Sequence, residues 1–353
     1  MSRAPPNRLL LVLLAAATAC KQETGSKNAA ETSEPTPLYV YIWTNYHSPA
    51  AIARFEKAHH ARVVIDTYDT NEVIEQKLQS GVAPYDVVVP SDYMVRTLAK
   101  KGLLLPLDAS KLPGLAGLDP ALDFGRGAPR FAVPYMWGTT GFAYRTDKIP
   151  DALDSWAALY DPRWKRKIVL LDDMREVYVT ALKLGGHSLN ATTAVALEDA
   201  RRRLTAQRPL VLAYDSTDFA GKLRAGDAWI AHGYSGELAR VSRDSGGKIR
   251  YVVPKEGATL AVDGLAIPRA AKHVDLAYAF LAFNLDPAVA AEVSNHTGYP
   301  TANAAARAQV KPELLADPAV YPGRDVLSRC EPFADLGETL TTLDTAWTEL
   351  KAQ

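Results

Sequence analysis

The residues best equipped for chemistry in this 353-residue chain gather in four short runs, each following an apolar segment. They are Trp43, Thr44, Asn45 and Tyr46; Ser91, Asp92 and Tyr93; Asp172, Asp173, Met174, Arg175 and Glu176; and Tyr234, Ser235, Gly236 and Glu237. Carboxylates, hydroxyls and flat rings recur among them. Ionised carboxylates make charge-assisted hydrogen bonds to ammonium groups, and each aromatic face adds roughly 0.5 to 2 kcal/mol of attraction for the same cations. If a cation binds here, these local carboxylates must hold it. Paired carboxylates also act as acid and base on a glycosidic bond, so a secreted hydrolase using Asp173 or Glu176 with Glu237 or Asp263 is the alternative.

Other chemistries find less support. His59, His60 and His232 have no second ligand at a metal-binding spacing and are expected to be solvated, so no metal site is predicted. Cys330 is the one cysteine of the body and shows no sign of an activated thiol, which also rules out a disulfide framework within the body. Nucleophile-elbow, P-loop and dinucleotide fingerprints are absent, and neither a catalytic residue nor a cofactor is expected.

The elements that must position these runs follow from periodicity. Residues 38–43, 62–68 and 86–91 read as strands, and 49–59, 71–79 and 92–101 as helices, so three βα units follow one another. Continuous Val and Ile runs mark strands buried on both faces, which predicts a mostly parallel sheet covered by helices. Around 131–144 the pattern becomes extended with two glycines, and a second series begins there, with strands at 167–171, 210–214 and 228–232 and helices at 218–223 and 237–241. A further strand near 260–268 and helices at 274–283 and 287–295 complete the pattern. In open parallel sheets, ligands sit beyond the carboxyl ends of the strands, and the four reactive runs lie at such ends. Asp173 and Glu176, three apart at a helix start, also fit a capping arrangement.

Composition bounds the partners. Lys plus Arg and Asp plus Glu each number 40, and hydrophobic residues make up 48% of the chain, which describes a globular protein with no global field and no basic patch for nucleic acid. Arg3 and Arg8 precede the apolar run 9–17 and small residues up to Cys20, the pattern of a cleaved leader over 1–19. Ala17, Thr18, Ala19 and Cys20 resemble a bacterial lipobox, which makes Cys20 a lipidation site and 20–37, polar and rich in Ser, Thr, Glu and Ala, a flexible tether. A periplasmic, lipid-anchored monomer is the expectation.

Seven ordered segments carry a family resemblance: YIWTNY at 41–46, DVVVPSDYMV at 86–95, PYMWGTTGFAY at 134–144, LLDDMREV at 170–177, VPKEGATLAVDGLAIP at 253–268, GYPTAN at 298–303 and DPAVYPGRDV at 317–326. With these the chain resembles the periplasmic spermidine/putrescine-binding proteins of polyamine ABC importers. The resemblance implies an α/β, two-lobed periplasmic-binding-protein fold of type II, with lobe 1 at 38–142 plus 263–309 and lobe 2 at 146–260 plus 316–353. It implies a polyamine ligand held in the interlobe cleft and delivered to a membrane permease.

Carried over by position, the resemblance places Trp43, Thr44, Tyr46, Ser91 and Tyr93 at the ligand, with Asp173, Glu176, Tyr234 and Glu237 facing them. Asp263 falls where the family holds an amine and Tyr299 where it keeps an aromatic residue. Three positions depart. Ala261 replaces an aromatic wall, Phe333 a glutamine, and Asn45 stands where relatives often carry an acid, changes expected to widen the cleft, weaken affinity or tune it towards another cationic metabolite such as agmatine, the alternative ligand.

Overall fold

The structure, a computed structural model, describes residues 34–81, 85–126 and 129–352. The leader and the Cys20 lipidation site predicted above lie outside the described residues. From Pro35 onward the chain forms one compact unit.

The first three βα units form as the periodicity predicts: β1 (Thr36–Trp43), α1 (Pro49–His59), β2 (Ala61–Tyr68), α2 (Asn71–Ser80), β3 (Val87–Val88) and α3 (Asp92–Lys100). Local chemistry sets their limits. Ser48 Oγ accepts the Ala51 N–H at 3.2 Å and Pro49 occupies the first turn of α1, where a missing N–H costs nothing. Gly81 ends α2 with φ 65°, a conformation glycine adopts without strain. β3 is short as a regular strand, yet Asp86 N–H and Val89 N–H still donate to Tyr39 and Tyr41 carbonyls of β1, and Pro90 then ends the ladder for want of an N–H.

The chain next forms β4 (Ala132–Arg145), β5 (Ile168–Leu170), α4 (Met174–Leu184), α5 (Ala194–Gln207), β6 (Val211–Tyr214), α6 (Phe219–Ala225), β7 (Ile230–Tyr234), α7 (Ser235–Asp244), β8 (Ile249–Val252) and β9 (Leu260–Ala266). Helices α8 (Val274–Leu285) and α9 (Pro287–Thr297), the single turns α10 (Pro312–Leu315) and α11 (Arg324–Leu327), and α12 (Thr339–Ala352) complete it. β7 begins two residues later than the periodicity predicts. The Trp229 and Ile230 N–H groups both donate to Lys167 O, so the ladder with β5 opens there.

Two sheets share one strand. The order is β2-β1-β3-β9-β4-β7-β5-β6, with β8 also on β4. Over 132–139 β4 runs antiparallel to β9, and over 140–145 it runs antiparallel to β7 and β8. The partner switch falls between Thr139 and Thr140. In the first sheet β9 alone opposes its neighbours, and in the second β4 alone does, so each sheet is mostly parallel in direction.

β1 shows why the sheet needs helices on both faces. Leu38, Val40 and Ile42 enter one apolar cluster with Phe55, Phe280 and Leu281, whereas Tyr41 on the opposite face enters another. Full burial of such an aliphatic side chain contributes roughly 1.5 to 3 kcal/mol, and alternation on two covered faces explains the unbroken apolar run. Where β4 crosses, Gly141 is obligatory. A Cβ there would lie 2.2 Å from the Val252 carbonyl oxygen.

Candidate functional site

The ends of these strands converge on a cleft with about 870 Å³ of empty space, part of it open to solvent. All eleven residues predicted at the ligand line it: Trp43, Thr44, Tyr46, Ser91, Tyr93, Asp173, Glu176, Tyr234, Glu237, Asp263 and Tyr299. Tyr68, Asp69, Asn71, Gly138, Thr139, Thr140, Ser216, Thr217, Ala261 and Phe333 complete the lining. Five carboxylates and seven aromatic rings therefore face one space into which, among the described residues, no lysine, arginine or histidine projects.

Asp263, from β9, is held by the first sheet. Ser91 Oγ donates to its Oδ1 at 2.6 Å and the Tyr46 hydroxyl to its Oδ2 at 2.7 Å. Asn71 fixes the serine, accepting the Ser91 N–H at 3.0 Å and donating to Ser91 Oγ at 3.1 Å. Burial pushes the Asp263 carboxyl up to about 6, against the pull of those two donors. Burial and the neighbouring Asp263 charge hold the Tyr46 phenol well above its usual range, so it stays protonated and donates.

Asp173 and Glu176 come from the start of α4. Asp173 caps the helix, its Oδ1 accepting the Glu176 N–H at 3.1 Å. Only half of the capping arrangement forms, because Glu176 turns away to accept Thr140 Oγ1 at 2.9 Å and Thr259 Oγ1 at 3.0 Å. Burial raises both carboxyls, with Glu72 adding to the rise at Asp173 and Asp173 to that at Glu176. Glu237, in the first turn of α7, is raised by burial and receives no hydrogen bond among the described residues.

Rings enclose these acids. Trp43 donates its Nε1–H to Val89 O at 3.0 Å, which fixes its plane; its ring centroid lies 4.6 Å from Tyr68 and 6.4 Å from Tyr234 of the second sheet. Tyr46 meets Tyr299 edge-on at 4.8 Å. Tyr299 itself rests on Gly236, where a Cβ would come within 2.4 Å of the ring. Tyr93 meets Phe333 edge-on at 5.6 Å, and behind them the Arg175 guanidinium lies 4.2 Å from the Phe333 centroid. The Tyr234 hydroxyl and Ser216 Oγ, both shielded from solvent, have no hydrogen-bond partner among the described residues.

The remaining candidates fall elsewhere. His59 and His60 are exposed at the end of α1, but His232 is not solvated as predicted: it is fully buried in β7 against Trp156, and desolvation drives it down to about 3. Among the described residues no group of three or more His, Cys, Asp or Glu side chains is placed to hold a metal. Cys330 is partly buried, and burial pushes its thiol up.

A family model of bacterial extracellular solute-binding proteins matches residues 50–322. The chain belongs to that family. It is 36% identical, over 92% of its length and 94% of the relative's, to the spermidine/putrescine-binding periplasmic protein of Salmonella typhimurium. It is 33% identical to a putrescine/cadaverine-binding protein of Pseudomonas aeruginosa, over 92% and 96% of the two chains. Among solved structures, one assigned to a spermidine/putrescine ABC transporter of Listeria monocytogenes superposes with TM-score 0.85 at 35% identity, covering 90% of this chain and 99% of that one. A Treponema pallidum lipoprotein gives TM-score 0.79 at 28% identity, covering 90% and 100%. The resemblance to the spermidine/putrescine-binding proteins holds, and with it the two-lobed α/β fold of type II. As a solute-binding protein of an ABC importer, the chain is an extracytoplasmic binding protein and not an enzyme, which sets aside the hydrolase reading.

Proposed function

We propose that the cleft captures a small polyamine, putrescine or spermidine, and that the closed protein delivers it to a membrane ABC permease. One observation carries the reading: five carboxylates and seven rings, and no basic side chain among the described residues, line the space. An alkyl diammonium needs oxygens for its charged ends and flat faces along its methylenes. Asp263, with Tyr46, Ser91, Tyr299 and Glu237, takes one ammonium; Asp173 and Glu176 take the other; Trp43, Tyr93 and Tyr234 flank the chain between them, and Thr44 supports the rim. The names of the Salmonella and Pseudomonas relatives support the same ligand class.

Lobe 1 on this reading spans 38–142 plus 263–309 and lobe 2 146–260 plus 316–353; the partner switch of β4 and the return of β9 to the first sheet support a division of this kind, with 140–142 pairing in the second sheet and Leu260 in the first. Ligand shifts an open–closed equilibrium, because only closure brings both sets of acids and rings onto one molecule. The protein acts as a monomer, tethered to the membrane through lipid on Cys20. Calorimetry with putrescine, spermidine, spermine, cadaverine and agmatine tests the ligand. Binding of one or more of them below the millimolar range is expected, and none binding in that range would overturn the proposal.

A further inference from the structure

Among the cleft acids, Glu176 is the one held by the segments that pass between the two sheets. Its two oxygens accept hydroxyls from Thr140, in β4 just beyond the partner switch, and from Thr259, in the connection that leads from β8 to β9. These are the segments that pass between the sheets. They are joined to each other by the Thr140 N–H donating to Thr259 O at 3.2 Å, and the segment around Glu331 lies alongside, with Leu260 N–H donating to Glu331 O and Glu331 N–H to Ala258 O, both at 3.0 Å. Thr140, Glu176 and Thr259 are all buried, and Thr259 does not line the cleft.

We propose that Thr140 and Thr259 are positioning residues for cation capture: their hydroxyls, one from each of the two segments that pass between the sheets, hold the Glu176 carboxyl in its cleft-facing pose and favour its ionised form. Each hydroxyl favours the charged form, because a carboxylate accepts such a bond more strongly than a protonated acid does. The groups facing Glu176 are Asp173 and Arg175 on its own helix, Thr140 of β4, Thr259, and the Tyr251 and Tyr234 phenols of β8 and β7. Desolvation and Asp173 push its carboxyl up, while the two threonines and Arg175 pull it down. The threonines therefore set how much of the acid is ionised near neutral pH. They do so without displacing any contact from the ligand, at least in the case of Thr259.

The inference rests on the polyamine reading for its functional meaning, but its test has a ligand-free arm. In protein labelled with ¹³C at glutamate carboxyls, with Glu176 assigned by its loss in Glu176→Gln, Thr259→Val is expected to move the Glu176 midpoint upward by about 1 pH unit. Putrescine affinity in the same variant is expected to fall about tenfold at pH values below both midpoints and to converge with the unaltered protein above them. Thr259→Ser is expected to restore both, and Thr140→Val to repeat them should Thr259→Val fail to fold. An unmoved midpoint, an affinity loss equal at every pH, or no rescue by serine would overturn the role. Should the unaltered protein bind no polyamine, the functional proposal fails while the carboxyl titration still decides what the threonines do.

Discussion

The Tyr46 hydroxyl donates to Asp263 Oδ2 at 2.7 Å, joining the loop after β1 to a strand 217 positions further along the chain. Ser91 Oγ serves the other oxygen at 2.6 Å, so the carboxylate stands in the cleft with its orientation already fixed. An arriving ammonium meets an acid that needs no reorganisation.

Replacing that acid separates binding from stability. Asp263→Asn keeps the shape and removes the charge, and putrescine affinity is expected to fall at least tenfold by calorimetry, the loss of one charge-assisted contact. The ligand-free melting temperature near pH 8 should not fall, because a buried charge has been removed rather than a support. Normal affinity in this variant would take Asp263 out of the site.

Binding should release protons. A cation prefers the ionised form of Asp263, whose carboxyl lies at about 6 in the empty cleft, so affinity rises with pH through that value. Asp173 and Glu176, also raised, extend the rise to higher pH. Titrations in two buffers of different ionisation enthalpy measure the protons directly, and a pH-independent affinity between roughly pH 5 and 8 would contradict the assignment.

The empty protein should lose stability as pH rises from about 4 through about 6. With a folded value of about 6 against an ordinary 3.8, Asp263 binds more protons folded than unfolded between the two, so its contribution is present below about pH 4 and lost as pH rises through about 6. The amount is about 3 kcal/mol. Urea denaturation across pH reads the slope, and saturating polyamine should flatten it.

A single methyl at the base of the Tyr299 ring should disturb the cleft. Gly236→Ala places a Cβ 2.4 Å from that ring, a clash that costs roughly 1 to 3 kcal/mol and drives Tyr299 from its edge contact with Tyr46. Lower melting temperature and several-fold weaker binding are expected. Combining it with Tyr299→Ala should recover part of the stability loss, a non-additivity that a double-mutant cycle measures.

The sequence exposed the fold through its periodicity and the site through its strand ends. Trp43, Ser91, Glu176 and Tyr234 were legible because each follows an apolar run closely, and Asp263 and Tyr299 through motif resemblance alone. Tyr68 ends β2 and Asp69 and Asn71 follow it, so the same strand-end rule covers them, although no motif resemblance marked them. Ser216 and Thr217 carry neither charge nor ring to draw notice. The grip of Thr140 and Thr259 on Glu176 was not legible at all, since it depends on two distant segments crossing side by side. Burial of His232 escaped for a related reason: its shielding comes from Trp156, which lies far away in sequence.

The placement of β9 between β3 and β4 governs the order in which the molecule can be completed on the ribosome. β1, β2 and β3 emerge first, yet the inner edge of β3 stays unpaired until every strand of the other half has been made. The sheet that begins first is the last to receive its final strand. A nascent chain or a fragment ending before β9 therefore displays an open strand edge, and such fragments are expected to aggregate rather than to persist as half a receptor.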